Sequence, residues 1–163
     1  MRHIVVAYDK NRVIGSEGAL PWAGELPADM RHFRALTLGH AVIMGRTTYD
    51  SIGSPLPQRH NVVMSKQKDL KINGCSVVHS LDEAYQVAQS DHDVYVIGGE
   101  KIYRLALSSV DRLHVTEIDT SVEGDAHFVD IDPEEWAVIS QEEYAADEKN
   151  KFNYRFITYD RIR

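Results

Sequence analysis

Val94-Tyr-Val-Ile-Gly-Gly-Glu-Lys-Ile-Tyr103 passes from an apolar, β-branched run through two glycines into a helical pattern, and this transition decides the fold class. Residues 94–97 have the length and composition of a buried strand. Gly98 and Gly99 let the backbone approach a ligand or take a conformation closed to other residues. The pair also fits an ordinary tight turn. A second passage of the same kind is Val42-Ile-Met-Gly-Arg-Thr-Thr-Tyr49. There Thr47 and Thr48 are suited to cap a helix, whose exposed N–H groups would attract phosphate.

Outward from these two junctions, short apolar runs recur at 4–7, 61–64 and 76–78, and helical patterns at 26–36, 48–52, 81–88 and 100–107. Strands alternating with helices predict an α/β domain with a largely parallel sheet. The last third differs: 113–118, 136–141 and 152–159 read as strands, and the polar stretch 145–151 as a hairpin connection. The expectation is one domain over 1–163, with a mostly parallel central sheet of about eight strands. An antiparallel C-terminal hairpin closes it, with helices on both faces. No internal repeat or linker divides the chain.

With 163 residues, 43% of them hydrophobic and 26% charged, the chain can bury a real core. The net charge of −7 speaks against broad electrostatic binding to nucleic acid or anionic membrane, so the positions of the few cations carry the information. Cys75 is the single cysteine, which excludes an intrachain disulfide and fits a reducing cytoplasm. The first apolar run is too brief for a signal peptide or a membrane span. The eight histidines lack metal-ligand spacing, so no metal is expected, and His127 reads as structural.

Leu26-Pro-Ala-Asp-Met-Arg-His-Phe-Arg-Ala-Leu-Thr37 is the most informative segment for chemistry. Pro27 suits a first helical turn. At about 100° per residue, Leu26, Met30, Phe33 and Leu36 share one face, and Asp29 shares it with them. Arg31 and Arg34 project elsewhere. A carboxylate among core-facing apolar residues is costly without a hydrogen-bond partner. Asp29 either answers the positive helix N-terminus or awaits a ligand with paired N–H donors, which a carboxylate matches as a fork.

Both junctions place residues beyond the carboxyl ends of strands, where open α/β sheets bind ligands. Neither is the G-x-G-x-x-G fingerprint of a standard dinucleotide fold. Arg46, Lys66 and Lys101 offer charge for a 2′-phosphate, or are simply solvated surface charge. Arg59, after the turn-like Ser54-Pro-Leu-Pro-Gln58, is placed to clamp a substrate carboxylate or to end a loop.

In order along the chain stand Arg12-Val-Ile-Gly15, Leu20-Pro-Trp22, Leu26-Pro-Ala-Asp29, Val42-Ile-Met-Gly-Arg-Thr-Thr48, Ser51-Ile-Gly53, Pro55-Leu-Pro57, Arg59-His-Asn61, Val96-Ile-Gly-Gly99, Ile102-Tyr103 and Glu123-Gly-Asp-Ala-His-Phe128. Together these resemble the dihydrofolate reductase family over nearly the whole chain. The resemblance implies reduction of dihydrofolate by NADPH, binding of antifolate inhibitors, and a cytoplasmic monomer. It makes Asp29 the acidic active-site residue and counts Trp22, bordering the pterin, as catalytic with it. Val5, Ala7, Met30, Phe33, Ile52, Leu56, Arg59, Ile97, Tyr103 and Thr116 would bind substrate. Arg59 would take the glutamate α-carboxylate, and Thr116 would hydrogen-bond Asp29 or a bound pterin. Ala7, Ile14, Gly45, Arg46, Thr47, Thr48, Ser65, Lys66, Gly98, Gly99, Glu100, Lys101 and Ile102 would hold NADPH. A cis peptide between the two glycines is also implied.

The chain departs from the commonest bacterial pattern at several points. Ala23-Gly-Glu25 lengthens the loop over the nicotinamide, and Tyr49 replaces a frequent tryptophan. Lys66 stands at a position often small and polar. Glu100 stands where many members have a third glycine, and its acid would weaken pyrophosphate binding unless only its backbone faces the ligand. Two rival readings are another NADPH-dependent pterin or pyrimidine reductase of the same architecture, and a non-catalytic dinucleotide-binding module.

Overall fold

A computed structural model describes residues 1–15 and 20–163. Five parallel pairings build its centre. Strand β1 (Arg2–Tyr8) lies between β6 (Val94–Gly98) and β7 (Arg112–Ile118), and β3 (Ala41–Gly45) lies between β6 and β4 (His60–Met64), which β5 (Cys75–Val78) flanks. β10 (Tyr154–Arg161) joins β7 antiparallel, and β9 (Trp136–Tyr144) joins β10 the same way. The order β5-β4-β3-β6-β1-β7-β10-β9 gives eight strands.

The strand pleat distributes the helices over both faces. Ile4, Val6, Ile43, Val62 and Val96 pack with Ala84 and Tyr85 of α3 (Leu81–Val87) and with Ile102, Tyr103 and Ala106 of α4 (Glu100–Ala106). The alternate residues Val42, Met44, Val63 and Tyr95 face the other way, against Leu36 of α1 (Pro27–Thr37) and Tyr49 of α2 (Arg46–Ile52). Strands covered on both sides must be apolar at successive positions, which is why 41–44 and 61–64 show no alternation.

β2 (Val13–Gly15) and β8 (Ala126–His127) form a separate antiparallel ribbon beside the expected sheet. Elements of three and two residues carry too little pattern to be read locally. Two expectations need correction. Thr47 and Thr48 do not cap α2. The helix already begins at Arg46 with Gly45 as N-cap, and no side chain closes it. Met30 does not join the core: it is 56% exposed, while Leu26 and Leu36 are the residues of that stripe that pack inward. A helix lying at the rim of a sheet buries only part of its apolar face in protein, and the rest forms the wall of a cleft.

Helix α1 also lacks a cap of its own. Its Ala28 N–H donates at 2.9 Å to Oδ1 of Asn150, a buried residue of the β9–β10 connection that in turn hydrogen-bonds Asp147. The extended turn at Ala23-Gly-Glu25 is tied to the same place. The Lys151 N–H donates to the Glu25 carbonyl at 2.9 Å, and the two side chains pair at 3.4 Å. Orphan N–H groups at a helix start need acceptors from somewhere; here a hairpin loop from the far end of the chain provides one.

Candidate active site

A cleft of about 1350 Å³ runs along the carboxyl ends of β1, β3, β4 and β6, with α1, α2 and α4 on its walls. A pocket for one small molecule typically spans roughly 300–1,000 Å³, and this cleft exceeds that range. The chain passes from β1 to β3 over the position that β6 later fills, and this change in strand order opens the cleft. Toward α1 it is lined by Asp29, Met30, Phe33, Ile52 and Leu56, and centrally by Val5, Ala7, Ile14, Ile97 and Tyr103. The opposite end is lined by Gly45, Arg46, Thr47, Thr48, Ser65, Lys66, Gly98, Gly99, Glu100, Lys101 and Ile102.

Asp29 sits in the first turn of α1 with part of its surface open to the cleft and protein around the rest. The Thr116 hydroxyl donates to its Oδ1 at 2.8 Å. Among the described residues no cation pairs with it. Burial pushes the Asp29 carboxyl above the usual carboxylate range, and the Thr116 hydrogen bond opposes that shift without cancelling it. The carboxylate therefore keeps acceptor capacity directed at the cleft, with no internal charge to satisfy it. Thr116 itself stands behind Asp29 and off the cleft wall.

Two other candidate residues lie off that wall, and each has a buried nitrogen without a hydrogen-bond partner among the described residues. Trp22 packs with Leu26, Ile118 and Tyr154 in a cluster against which Ala7 rests, leaving its indole N–H unpaired. Arg59 has an unpaired Nε, and its guanidinium lies 5.9 Å from the centre of the Phe33 ring. Burial and the nearby Arg34 charge both lower its pKa. A guanidinium in that situation gains from an anion more than a solvated one does.

At the opposite end the backbone comes close to its neighbours. A Cβ on Gly45 would stand 3.0 Å from Cγ1 of Ile102, and one on Gly98 3.3 Å from the Tyr103 hydroxyl. One on Gly99 would stand 3.4 Å from Oγ1 of Thr48. The Gly98–Gly99 peptide is cis. The Tyr103 hydroxyl donates to the Val5 carbonyl at 2.7 Å. Burial raises the Tyr103 phenol and keeps it protonated. The Glu100 carboxylate is engaged by two groups: Oε1 accepts from the His127 N–H at 3.1 Å and pairs with Arg104 at 3.4 Å. Arg46 pairs with Asp50 at 3.0 Å. Lys66 and Lys101 are exposed and have no ion pair among the described residues. A glycine-narrowed cradle between α2 and α4, flanked by lysines, fits the diphosphate of a nicotinamide cofactor.

Several residues that shape the site were not evident from sequence. Asn61 is buried in β4; its Oδ1 accepts from Leu56 N–H at 2.9 Å, and its Nδ2 donates to the carbonyls of Leu56 and Arg59. It thereby sets the loop that presents Arg59. Asp9 is buried and accepts from the N–H groups of Asn11, Val13 and Val122, which fixes the turn between β1 and β2. His79 lines the cleft and donates Nδ1–H to the Ser65 carbonyl at 2.9 Å, since a carbonyl can only accept. An asparagine that opens an apolar strand and an aspartate two residues ahead of an asparagine are the only local signals.

The family model for dihydrofolate reductase matches residues 1–161. The chain is 40% identical over 161 residues to the dihydrofolate reductase of Bacillus subtilis (strain 168), covering 99% of this chain and 95% of that one. It is 41% identical over 160 residues to the type 3 dihydrofolate reductase of Salmonella typhimurium, covering 98% of each. Its structure resembles dihydrofolate reductase from Enterococcus faecalis complexed with NADP(H) and RAB-propyl. That match has a TM-score of 0.93 at 33% identity, over 100% of this chain and 97% of the other.

Proposed function

The chain belongs to the dihydrofolate reductase family, and from that premise we propose how its own residues carry the NADPH-dependent reduction of 7,8-dihydrofolate to 5,6,7,8-tetrahydrofolate, with hydride delivered to C6 and a proton to N5. Bound NADPH supplies the hydride. The chain supplies orientation, a dry pocket and a proton route.

The under-satisfied Asp29 carboxylate carries this reading. Its free acceptor capacity matches the two parallel N–H donors of an amino-pyrimidine edge. It holds the ring and raises N5 basicity, and a water carries the proton to N5. Thr116 keeps the carboxylate oriented, and Trp22 leaves a buried N–H for a water or ligand acceptor at the same end. Met30, Phe33, Ile52 and Leu56 enclose the apolar part of the substrate, with Val5, Ala7, Ile97 and Tyr103 at the reacting ring. Arg59 takes the glutamate carboxylate, supported by its partnerless Nε.

Gly45, Gly98, Gly99, Thr47 and Thr48 hold the cofactor's diphosphate, with Glu100, Lys101 and Ile102 contributing backbone, and Ala7 and Ile14 border the nicotinamide. Arg46, Ser65 and Lys66 answer the 2′-phosphate. If so, Lys66→Ala raises KM for NADPH by roughly fivefold, as for loss of one charged contact worth about 1 kcal/mol, and leaves KM for NADH nearly unchanged.

We read residues 1–163 as one domain that acts as a monomer in the cytoplasm, as the family resemblance implies; among the described residues no helix is long and apolar enough to cross a membrane. The direct test is NADPH oxidation followed by absorbance on adding dihydrofolate, with and without methotrexate. Inhibitor-sensitive loss of absorbance supports the reading. Oxidation with a ribosyl-pyrimidine substrate instead identifies a related reductase, and NADPH binding without turnover identifies a binding module.

A further inference from the structure

The β2–β8 ribbon stands apart from the central sheet and walls the cleft with Ile14, Gly15 and Ala126. A two-stranded ribbon this short is not stable alone. Its backbone bonds join Phe128 N–H to the Arg12 carbonyl at 2.8 Å and Asp125 N–H to the Gly15 carbonyl at 3.1 Å. At the turn end the Asp9 carboxylate anchors Val13 N–H at 2.8 Å. The His127 N–H lies on the free edge of β8, pointing out of the ribbon, and its acceptor is Glu100 Oε1 at 3.1 Å.

Glu100 is the first residue of α4 and directly follows the cis glycine pair. Its backbone thus belongs to the diphosphate cradle while its side chain grips the ribbon that forms the neighbouring wall. The pairing with Arg104 does not account for the carboxylate's orientation, because an exposed i,i+4 pair at 3.4 Å is weak. A charge-assisted bond to a backbone N–H is stronger and directional.

We propose that Glu100 is a positioning residue for hydride transfer: by accepting the His127 N–H it holds the β2–β8 ribbon, and with it Ile14, at the set distance from the cofactor end of the cleft. The proposal rests on the activity stated above. A reacting pair displaced by about 1 Å loses on the order of a hundredfold in rate. Release of one anchor among several displaces the wall less than that.

The test combines single-turnover hydride transfer at saturating NADPH with amide hydrogen exchange on the cofactor-free protein. Glu100→Ala is expected to slow hydride transfer roughly tenfold while KM for NADPH moves by less than about threefold. It should also speed exchange at 13–15 and 125–128 without speeding it in β1, β6 or β7. Glu100→Gln, which keeps an oxygen acceptor, is expected to recover most of both. Unchanged exchange at His127 in Glu100→Ala overturns the proposal. So does a Glu100→Gln variant as impaired as Glu100→Ala, or a loss of protection spread over the whole sheet. The exchange measurement stands even where dihydrofolate turnover fails, so the two readings fail separately.

Discussion

Asp29 and Glu100 are both acids in the first turn of a helix on the wall of the same cleft, and their surroundings differ. Glu100 accepts a backbone N–H from β8 and pairs with Arg104. Among the described residues Asp29 has one hydroxyl partner and no cation, and burial pushes its carboxyl upward. The helix N-terminus favours both alike. What separates the two acids is how much of their hydrogen-bonding capacity the protein itself uses. Asp29 is the one left short.

Three substitutions sharpen or break this contrast. The largest effect belongs to Asp29→Asn, which should lower hydride transfer at neutral pH by at least about a hundredfold, the range for loss of an acid–base group. The same change should stabilise the protein. A carboxyl whose pKa is higher folded than unfolded binds its proton more tightly in the folded chain. Its ionised form therefore costs stability, increasingly as pH rises from the unfolded value of about 3.9 to the higher folded one. Asp29→Asn removes that cost, so its melting temperature should exceed that of the wild type at neutral pH, and the gap should narrow as the solution is acidified. Thermal melts across that range check it; a less stable variant at neutral pH would show that Asp29 is a satisfied structural acid like Glu100.

Thr116→Val comes next. It deletes the hydrogen bond that favours the ionised form, so the pH–rate profile should move to higher pH, with a rate change of up to about tenfold at fixed neutral pH. Stability should fall by about 1–3 kcal/mol, as for a buried acceptor left without its donor. An unmoved profile in stopped-flow measurements would mean that Thr116 does not set the charge state of Asp29. The smallest effect belongs to Arg104→Ala. Removing an exposed i,i+4 partner should cost about 0.3–0.5 kcal/mol in a denaturation midpoint and leave hydride transfer within a factor of two. If it reproduced Glu100→Ala instead, the pairing on α4, and not the bond to β8, would be what orients that carboxylate.

The two acids also mark how far the sequence could be read. That Asp29 shares a helix face with Leu26 and Phe33 follows from a period of 3.6 residues and needs no coordinates. Its proximity to Thr116, 87 positions away, does not follow from any local pattern. Glu100 stands out only against the family pattern, and the partner of its side chain belongs to a two-residue strand that composition cannot reveal. Met30 shows the limit of the helical stripe. Periodicity says which residues share a face, and only packing says whether that face meets core or cleft.

Residue order alone determined the alternation of strands and helices, the antiparallel close of the sheet, and the apolar setting of Asp29. These rest on local periodicity, steric preference and the cost of burying charge, which act over a few residues at a time. Packing decided the rest: Asn150 capping α1 from the β9–β10 connection, Asn61 shaping the Arg59 loop, and the unpaired nitrogens of Trp22 and Arg59. Each of these depends on which distant groups a polar atom meets once the chain is compact. A buried donor or acceptor must find a partner in three dimensions or do without, and linear spacing carries no record of that outcome.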